Sequence, residues 1–247
     1  MDKTSKYSYE LFGNYRKSHV NYTCISDDGR KKQFERLYRD CYKLFFRKVR
    51  KDANILEIGC NEGTMLGVLF DNGYRNLTGI DLSPDDLDIA RRNLPQDIKL
   101  EYADAFEYLS NKENVYDVII SKAVFEHINK ENVIELIKIC KRALVGGGVL
   151  VIDVPNMDWL LASHERYMDF THECGYNINS LGQIMRQCFG NCNLYYANDN
   201  SGANGIKDKV GKKLLATLIS WSIPCISEEA MFSRQIIGVS QKVIEGE

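Results

Sequence analysis

Between Ala53 and Pro155 the chain alternates short apolar runs of strand length with longer stretches whose apolar residues recur every three or four positions. This rhythm predicts strands at Asn54–Ile58, Asn76–Ile80, Ile98–Tyr102, Tyr116–Ser121 and Gly148–Val154. Helices are expected to open near Glu62, Pro84, Ala105 and Glu131. The last carries Val133, Leu136, Ile137, Cys140 and Leu144 on one face and is expected to stop at Gly146–Gly148. Strands joined through helices must cross over right-handedly. The result is a mostly parallel sheet with helices on both faces, an α/β fold.

The flanks read differently. Residues 31–50 are expected to be helical, with Phe34, Leu37, Tyr38, Cys41, Leu44 and Phe45 on one face. Residues 1–50 thus form an N-terminal helical extension, and the aromatic stretch Tyr7–Tyr22 is a candidate cover for the sheet's ligand. Residues 51–247 read as one domain without an internal repeat. After Pro155 the alternation stops. Residues 156–178 are rich in His, Asp, Tyr and Trp and read as irregular, with a short helix. A helix near Ser180–Cys188, a strand at Asn193–Tyr196, a loop over 198–206, a basic amphipathic helix over 207–222 and a strand at Gln235–Lys242 follow.

Composition removes several classes. The net charge is −2 and the pI about 6.1, which does not suit a surface built to neutralise phosphates. The longest uncharged stretch, Leu214–Ser227, contains Pro224 and falls short of the roughly 18 apolar residues that span a bilayer. The opening MDKTSKYSYE lacks the apolar core of an export signal, so the cytoplasm is the expected compartment. The 8 cysteines contain no Cys-x-x-Cys pair and are expected to be reduced. His164, His172, Cys174, Cys188 and Cys192 cluster in sequence, but their spacing matches no zinc pattern.

The strongest chemical signal is Ile55-Leu-Glu-Ile-Gly-Cys-Asn-Glu-Gly63, a strand running into a glycine-bearing turn and a helix. In open parallel sheets ligands bind at the carboxyl ends of the strands. Glycines at 59 and 63 let a backbone approach a ligand closely. Asp81 ends the second strand, where a carboxylate can accept hydrogen bonds from ribose hydroxyls or cap the helix opening at Pro84. Asp104 repeats the arrangement after the third strand, facing an adenine amino group or capping the helix from Ala105. A pyrophosphate site favours Gly-x-Gly-x-x-Gly. Here the spacing is Glu-x-Gly-x-x-x-Gly, and Glu57 suits a ligand's amino group better than a pyrophosphate.

With Gly79-Ile-Asp-Leu-Ser83, Tyr102-Ala-Asp-Ala105, Tyr116 through His127 and Leu144 through Leu150, this pattern resembles the class I S-adenosylmethionine-dependent methyltransferases. The likeness is good over roughly 50–155 and looser elsewhere. Asn61 stands where that family usually has glycine, and Asn tolerates positive φ well. The resemblance implies a Rossmann-like seven-stranded sheet whose last strand is antiparallel. It implies S-adenosyl-L-methionine as cofactor and S-adenosyl-L-homocysteine as product. Glu57, Gly59, Cys60 and Gly63 would then line the methionine portion, and Asp81 with Leu82 the ribose. Asp104 and Ala105 would meet the adenine, and Ser121–Lys122 with Glu126 and His127 would flank the sulfonium.

The acceptor side is carried by His164-Glu-Arg-Tyr-Met-Asp-Phe-Thr-His-Glu173. This string looks like methyltransferases of bacterial capsule and surface-polysaccharide biosynthesis. It implies a small sugar- or nucleotide-linked acceptor, methylated on a hydroxyl or a phosphoryl or phosphoramidate oxygen. His172 is the candidate general base, since imidazole titrates near neutrality. Asp169 would orient it, and Arg166 would bind an acidic group on the acceptor. No metal is expected; a metal-dependent variant would use Asp153, Asp169 and Glu173. The helix over 207–222 sets Lys207, Lys209, Lys212 and Lys213 against Val210, Leu214, Leu218 and Trp221. It reads as a lid or a homodimer contact, with peripheral membrane contact as the other use. Two other classes stay open: a silent cofactor-binding scaffold, and an RNA or protein methyltransferase.

Overall fold

The computed structural model describes residues 11–13, 27–197, 206–222 and 227–244. Most of the aromatic stretch 7–22 and the loop 198–206 lie outside the described residues. Seven strands form one sheet: β1 (Asn54–Ile58), β2 (Asn76–Asp81), β3 (Lys99–Tyr102), β4 (Tyr116–Lys122), β5 (Leu144–Pro155), β6 (Asn193–Ala197) and β7 (Gln235–Gln241). Their order is β3-β2-β1-β4-β5-β7-β6. β7 runs antiparallel between β5 and β6, and the remaining pairings are parallel. The helices are α1 (Asp27–Asp40), α2 (Thr64–Asp71), α3 (Pro84–Asn93), α4 (Ala105–Leu109), α5 (Lys130–Ala143), α6 (Ala162–Tyr167), α7 (Ile178–Phe189), α8 (Ile206–Ser222) and α9 (Glu228–Phe232). The α/β, Rossmann-like sheet expected from the alternation is therefore present, with each predicted strand within a few residues of its place.

Three local expectations fail for identifiable reasons. The helix expected over 31–50 ends at Asp40 and gives way to a 3₁₀ turn at Tyr42–Leu44. The chain bends there because the Tyr42 hydroxyl donates 2.8 Å to Asp153 Oδ2, a buried tie that a straight helix need not provide. Gly146–Gly148 do not follow α5 as a stop; they lie inside β5, which begins at Leu144. Gly147 has φ +80, and a Cβ at Gly148 would stand 2.9 Å from the Val145 carbonyl and 3.1 Å from that of Tyr116. They serve an irregular β4–β5 register, shifted between Tyr116 and Val118, rather than a helix end. The short α9 was not foreseen; Ser227 caps it by accepting from the Ala230 N–H.

Both faces of the sheet are covered. One core joins Leu56, Ile58, Ile119 and Ile152 to α5 and α7 through Val133, Leu136, Ile137, Leu181 and Met185. The other joins Ile55, Val118 and Ile120 to α2 through Met65 and Leu69, and takes Tyr38, Tyr42 and Phe46 from the extension. The extension thus shares a core with the sheet. Six described cysteines, Cys41, Cys60, Cys140, Cys174, Cys188 and Cys192, are free thiols.

The pairing register brings the functional ends together. Ile58 sits opposite Ile80 on one side and Ser121 on the other, and Asp81 opposite Tyr102. The strand order reverses between β1 and β4, and that switch point opens a crevice above their carboxyl ends.

Candidate active site in the strand-end crevice

A cavity of about 460 Å³ occupies the switch point. Its floor is the β1–α2 turn, where Gly59 has φ +71, Asn61 φ +50 and Gly63 φ +72. A Cβ on Gly59 would meet Val124 Cγ2 at 2.2 Å. Asp81 closes the turn: its Oδ2 accepts the Asn61 N–H at 2.7 Å and its Oδ1 the Ser83 N–H at 2.8 Å. Burial pushes Asp81 up to about 6, against those backbone donors, which pull it down. Glu57, 3% exposed, keeps an Oε2 without any hydrogen-bond partner. Burial first, and the neighbouring Asp81 second, push its carboxyl up to about 8. A buried carboxyl aimed at no partner fits a cationic ligand group.

The expected cofactor residues Glu57, Gly59, Cys60, Asp81, Leu82, Asp104, Ala105, Glu126 and His127 all line the cavity. Two do not. Gly63 turns toward the protein, where a Cβ would stand 2.3 Å from Leu94 Cδ1, so its glycine serves α2–α3 packing. Ser121 is fully buried inside β4, while the next residue, Lys122, reaches the crevice. Asp104 also caps α4, its Oδ1 accepting from the Phe106 and Glu107 N–H groups at 2.8 and 3.3 Å. The Cys60 thiol lies against Gly79 and is pushed well up by burial, so it is a neutral packing group.

At the acceptor end His127, from the 3₁₀ turn after β4, faces the loop after α6. Thr171 Oγ1 donates to Asp169 Oδ1 at 2.7 Å and lies 2.8 Å from His127 Nδ1. The hydroxyl has one proton and gives it to Asp169, so at this contact His127 Nδ1 is the donor. His172 Nδ1 lies 3.0 Å from the Glu165 carbonyl, an acceptor only, so that nitrogen is the donor there. The two rings stand 4.7 Å apart, centroid to centroid. His172 and Asp169 line the cavity, but Asp169 orients His127 through Thr171 rather than His172 as expected. Arg166 is not among the lining residues. Its guanidinium donates to the backbone carbonyls of His172 and, at 3.1 Å, Glu173. These contacts clamp the loop.

Several lining residues escaped the sequence reading. Arg30, Gln33 and Phe34 of α1 border the crevice, and Arg30 pairs with Glu62 at 2.5 Å; Phe12, which also lines it, belongs to the aromatic stretch expected as a cover. The helical spacing of the α1 residues showed an inward face but not what that face covers. Val124, Ile128 and Met168 add apolar wall. Glu126 is 2% exposed with Oε2 unpartnered, and burial pushes its carboxyl up to about 8. Lys122 stands 3.5 Å from Asp153 Oδ2. Among the described side chains of α8, none lines the cavity. Val210, Leu214, Leu218 and Trp221 are instead exposed. No helix among the described residues is long and apolar enough to cross a membrane.

An open sheet ordered 3-2-1-4-5-7-6, with a glycine turn and strand-end acids around an adenosine-sized crevice, defines a Rossmann-like transferase of the methyl-transfer type. The family model described as a methyltransferase domain matches residues 30–190, and the chain belongs to that family. Human "EEF1A lysine methyltransferase 2" is 34% identical over 94 residues, 36% of this chain and 39% of that protein. The chain thus spans about two-fifths of the length of the curated relatives it matches. A SAM-dependent methyltransferase from Archaeoglobus fulgidus superposes with a TM-score of 0.66 at 18% identity, covering 87% of this chain and 96% of that one. Haemonchus contortus phosphoethanolamine N-methyltransferase 2, in complex with S-adenosylhomocysteine, superposes with a TM-score of 0.59 at 15% identity, over 92% and 60%.

Proposed function

We propose that the protein methylates an oxygen nucleophile, a hydroxyl or phosphoryl-type oxygen of a small sugar- or nucleotide-linked acceptor held against His127 and His172. One observation carries the reading: two imidazoles 4.7 Å apart line the acceptor end of the crevice, His127 held through Nδ1 by Thr171 and Asp169 and His172 through Nδ1 by the Glu165 carbonyl. When bound, the cofactor supplies a methyl group on a sulfonium. Glu57 holds its ammonium end, Asp81 its ribose hydroxyls, and Asp104 with Leu82 and Ala105 its adenine. His172 takes the acceptor's proton as the methyl transfers, and Arg166 and Asp169 act by fixing the loop. A role in surface-polysaccharide or capsule synthesis rests on the likeness of the 164–173 string alone and draws no support from the relatives.

A second reading is favoured by a specific finding. The identity with a protein lysine methyltransferase supports a protein amine as acceptor, and taken alone the comparisons favour it. Against it stands the pair of imidazoles at the acceptor end, which suits a hydroxyl that must lose a proton. The acidic net charge disfavours RNA. The exposed α8 stripe is the candidate contact for a second copy or for an anionic membrane surface. The deciding experiment follows S-adenosylhomocysteine release with nucleotide-linked sugars and, separately, with lysine-bearing protein. Turnover on the sugars, cut about 10²–10⁴-fold in His172→Ala with cofactor affinity unchanged, supports the first reading. Turnover only on protein establishes the second. Cofactor binding with neither leaves a scaffold.

A further inference from the structure

The side chains at the acceptor end include one grouping with a second use. A carboxylate oxygen of Glu126 and a ring nitrogen from each of His127 and His172 lie within 4.8 Å of one another. We propose that these three residues form a divalent-metal site, taking a first-row transition ion such as Zn²⁺ and, on its open positions, an oxygen of the acceptor.

Four observations carry it. The donor set, two imidazoles and one carboxylate, is one that open-sided transition-metal sites use. Glu126 is 2% exposed, yet its Oε2 has no hydrogen-bond partner, so one oxygen of a buried carboxyl lacks a partner. Each ring is oriented by a contact at Nδ1, with Thr171 Oγ1 at 2.8 Å for His127 and the Glu165 carbonyl at 3.0 Å for His172. Thr171 is in turn fixed by Asp169 at 2.7 Å, an outer layer of the kind that orients ligating histidines. The spacing is workable: ligands about 2.0–2.1 Å from one tetrahedral ion lie about 3.4 Å apart, so closing the trio takes at most about 1.5 Å of side-chain movement. The carboxylate trio Asp153, Asp169 and Glu173 does not assemble instead. Asp153 accepts from Tyr42 and faces Lys122, Asp169 accepts from Thr171, and Glu173 is exposed.

The inference deepens the reading of this end as the acceptor's place and narrows the acceptor. An ion at this place would bind an acceptor oxygen and ease loss of a hydroxyl's proton, which fits an oxygen acceptor. The test needs neither cofactor nor acceptor. Chelator-treated protein is titrated with Zn²⁺ in a calorimeter, and with Co²⁺ while its visible absorption is followed. One equivalent per chain is expected. His172→Ala should weaken Zn²⁺ binding more than about 100-fold and Thr171→Val about 10–100-fold, with melting curves confirming both are folded. His164→Ala, an exposed histidine outside the site, should leave it unchanged. No saturable Zn²⁺ binding, or binding that His172→Ala and Glu126→Gln leave intact, overturns the site. The inference rests on the reading of this end as the acceptor's place, and the two can fail separately: a His172 nitrogen that holds the ion cannot also take the acceptor's proton, so turnover lost in His172→Ala without zinc binding in the parent assigns that histidine to proton transfer instead.

Discussion

Asp81 carries two loads. Its oxygens each accept a backbone N–H, from Asn61 and Ser83, and so hold the glycine turn against β2. A carboxylate has about four acceptor positions, so room remains for ribose hydroxyls. Asp81→Ala removes both functions. Loss of charge-assisted hydrogen bonds predicts about 1–3 kcal/mol weaker S-adenosylmethionine binding by calorimetry, and unchanged affinity would take Asp81 out of the site. This residue was legible because strand-end acids recur at a fixed place in the alternation. The Asp169–Thr171–His127 chain was not, because Thr171 and His127 are 44 residues apart and only the tertiary fold brings their hydrogen-bonding atoms together. Arg166 shows the converse. Its type suggested an anion partner, but nearby carbonyls of its own loop claimed it first.

At the scale of elements, the β1–α2 turn stores its specificity in positive φ. Gly59 has φ +71 with Val124 Cγ2 only 2.2 Å from where a Cβ would go. Gly59→Ala is therefore expected to cost more than the ~1–2 kcal/mol of a left-handed residue alone. At about 2–4 °C per kcal/mol for a chain of this size, its melting temperature should fall by several degrees. Asn61→Gly, at φ +50, relieves a smaller strain and should change stability by no more than about 1 kcal/mol. If the two variants melted alike, backbone conformation would not be what selects glycine at 59. The same elements explain how much of the fold the sequence disclosed. Strands β1, β2 and β4 were readable because each is a short apolar run largely buried between two layers, and the exposed edge strand β3 was placed by the alternation around it. The end of α1 at Asp40 was not, since its apolar spacing continues through Leu44 and Phe45 while the chain bends to reach Asp153. Gly146–Gly148 look alike in sequence whether they end a helix or ease a strand irregularity, and only the β4–β5 register distinguishes the two.

On the scale of the whole molecule, the crevice gathers Glu57, Glu126 and Asp153 around Lys122, too many acids for one cation. Burial resolves the excess by keeping protons on: Glu57 and Glu126 are each raised to about 8. For Glu57 the folded chain holds a proton that the unfolded chain releases above its ordinary value of 4.5. Its contribution to stability is complete below pH 4.5 and is lost as pH climbs toward 8. At about 1.4 kcal/mol per unit, a few kcal/mol are at stake across that window. Glu57→Gln cannot ionise, so the ligand-free variant should lose less stability than the parent between pH 5 and 8, read from melting temperatures across that range. Cofactor binding reverses the preference, since its cationic end favours the carboxylate and expels the proton. Affinity for S-adenosylmethionine should therefore rise with pH until about 8 in the parent, with proton release visible as a buffer-dependent calorimetric enthalpy, and stay flatter in Glu57→Gln. A parent whose affinity ignores pH over that range would mean that Glu57 meets no cation, and the orientation of the cofactor in the crevice would have to be turned around.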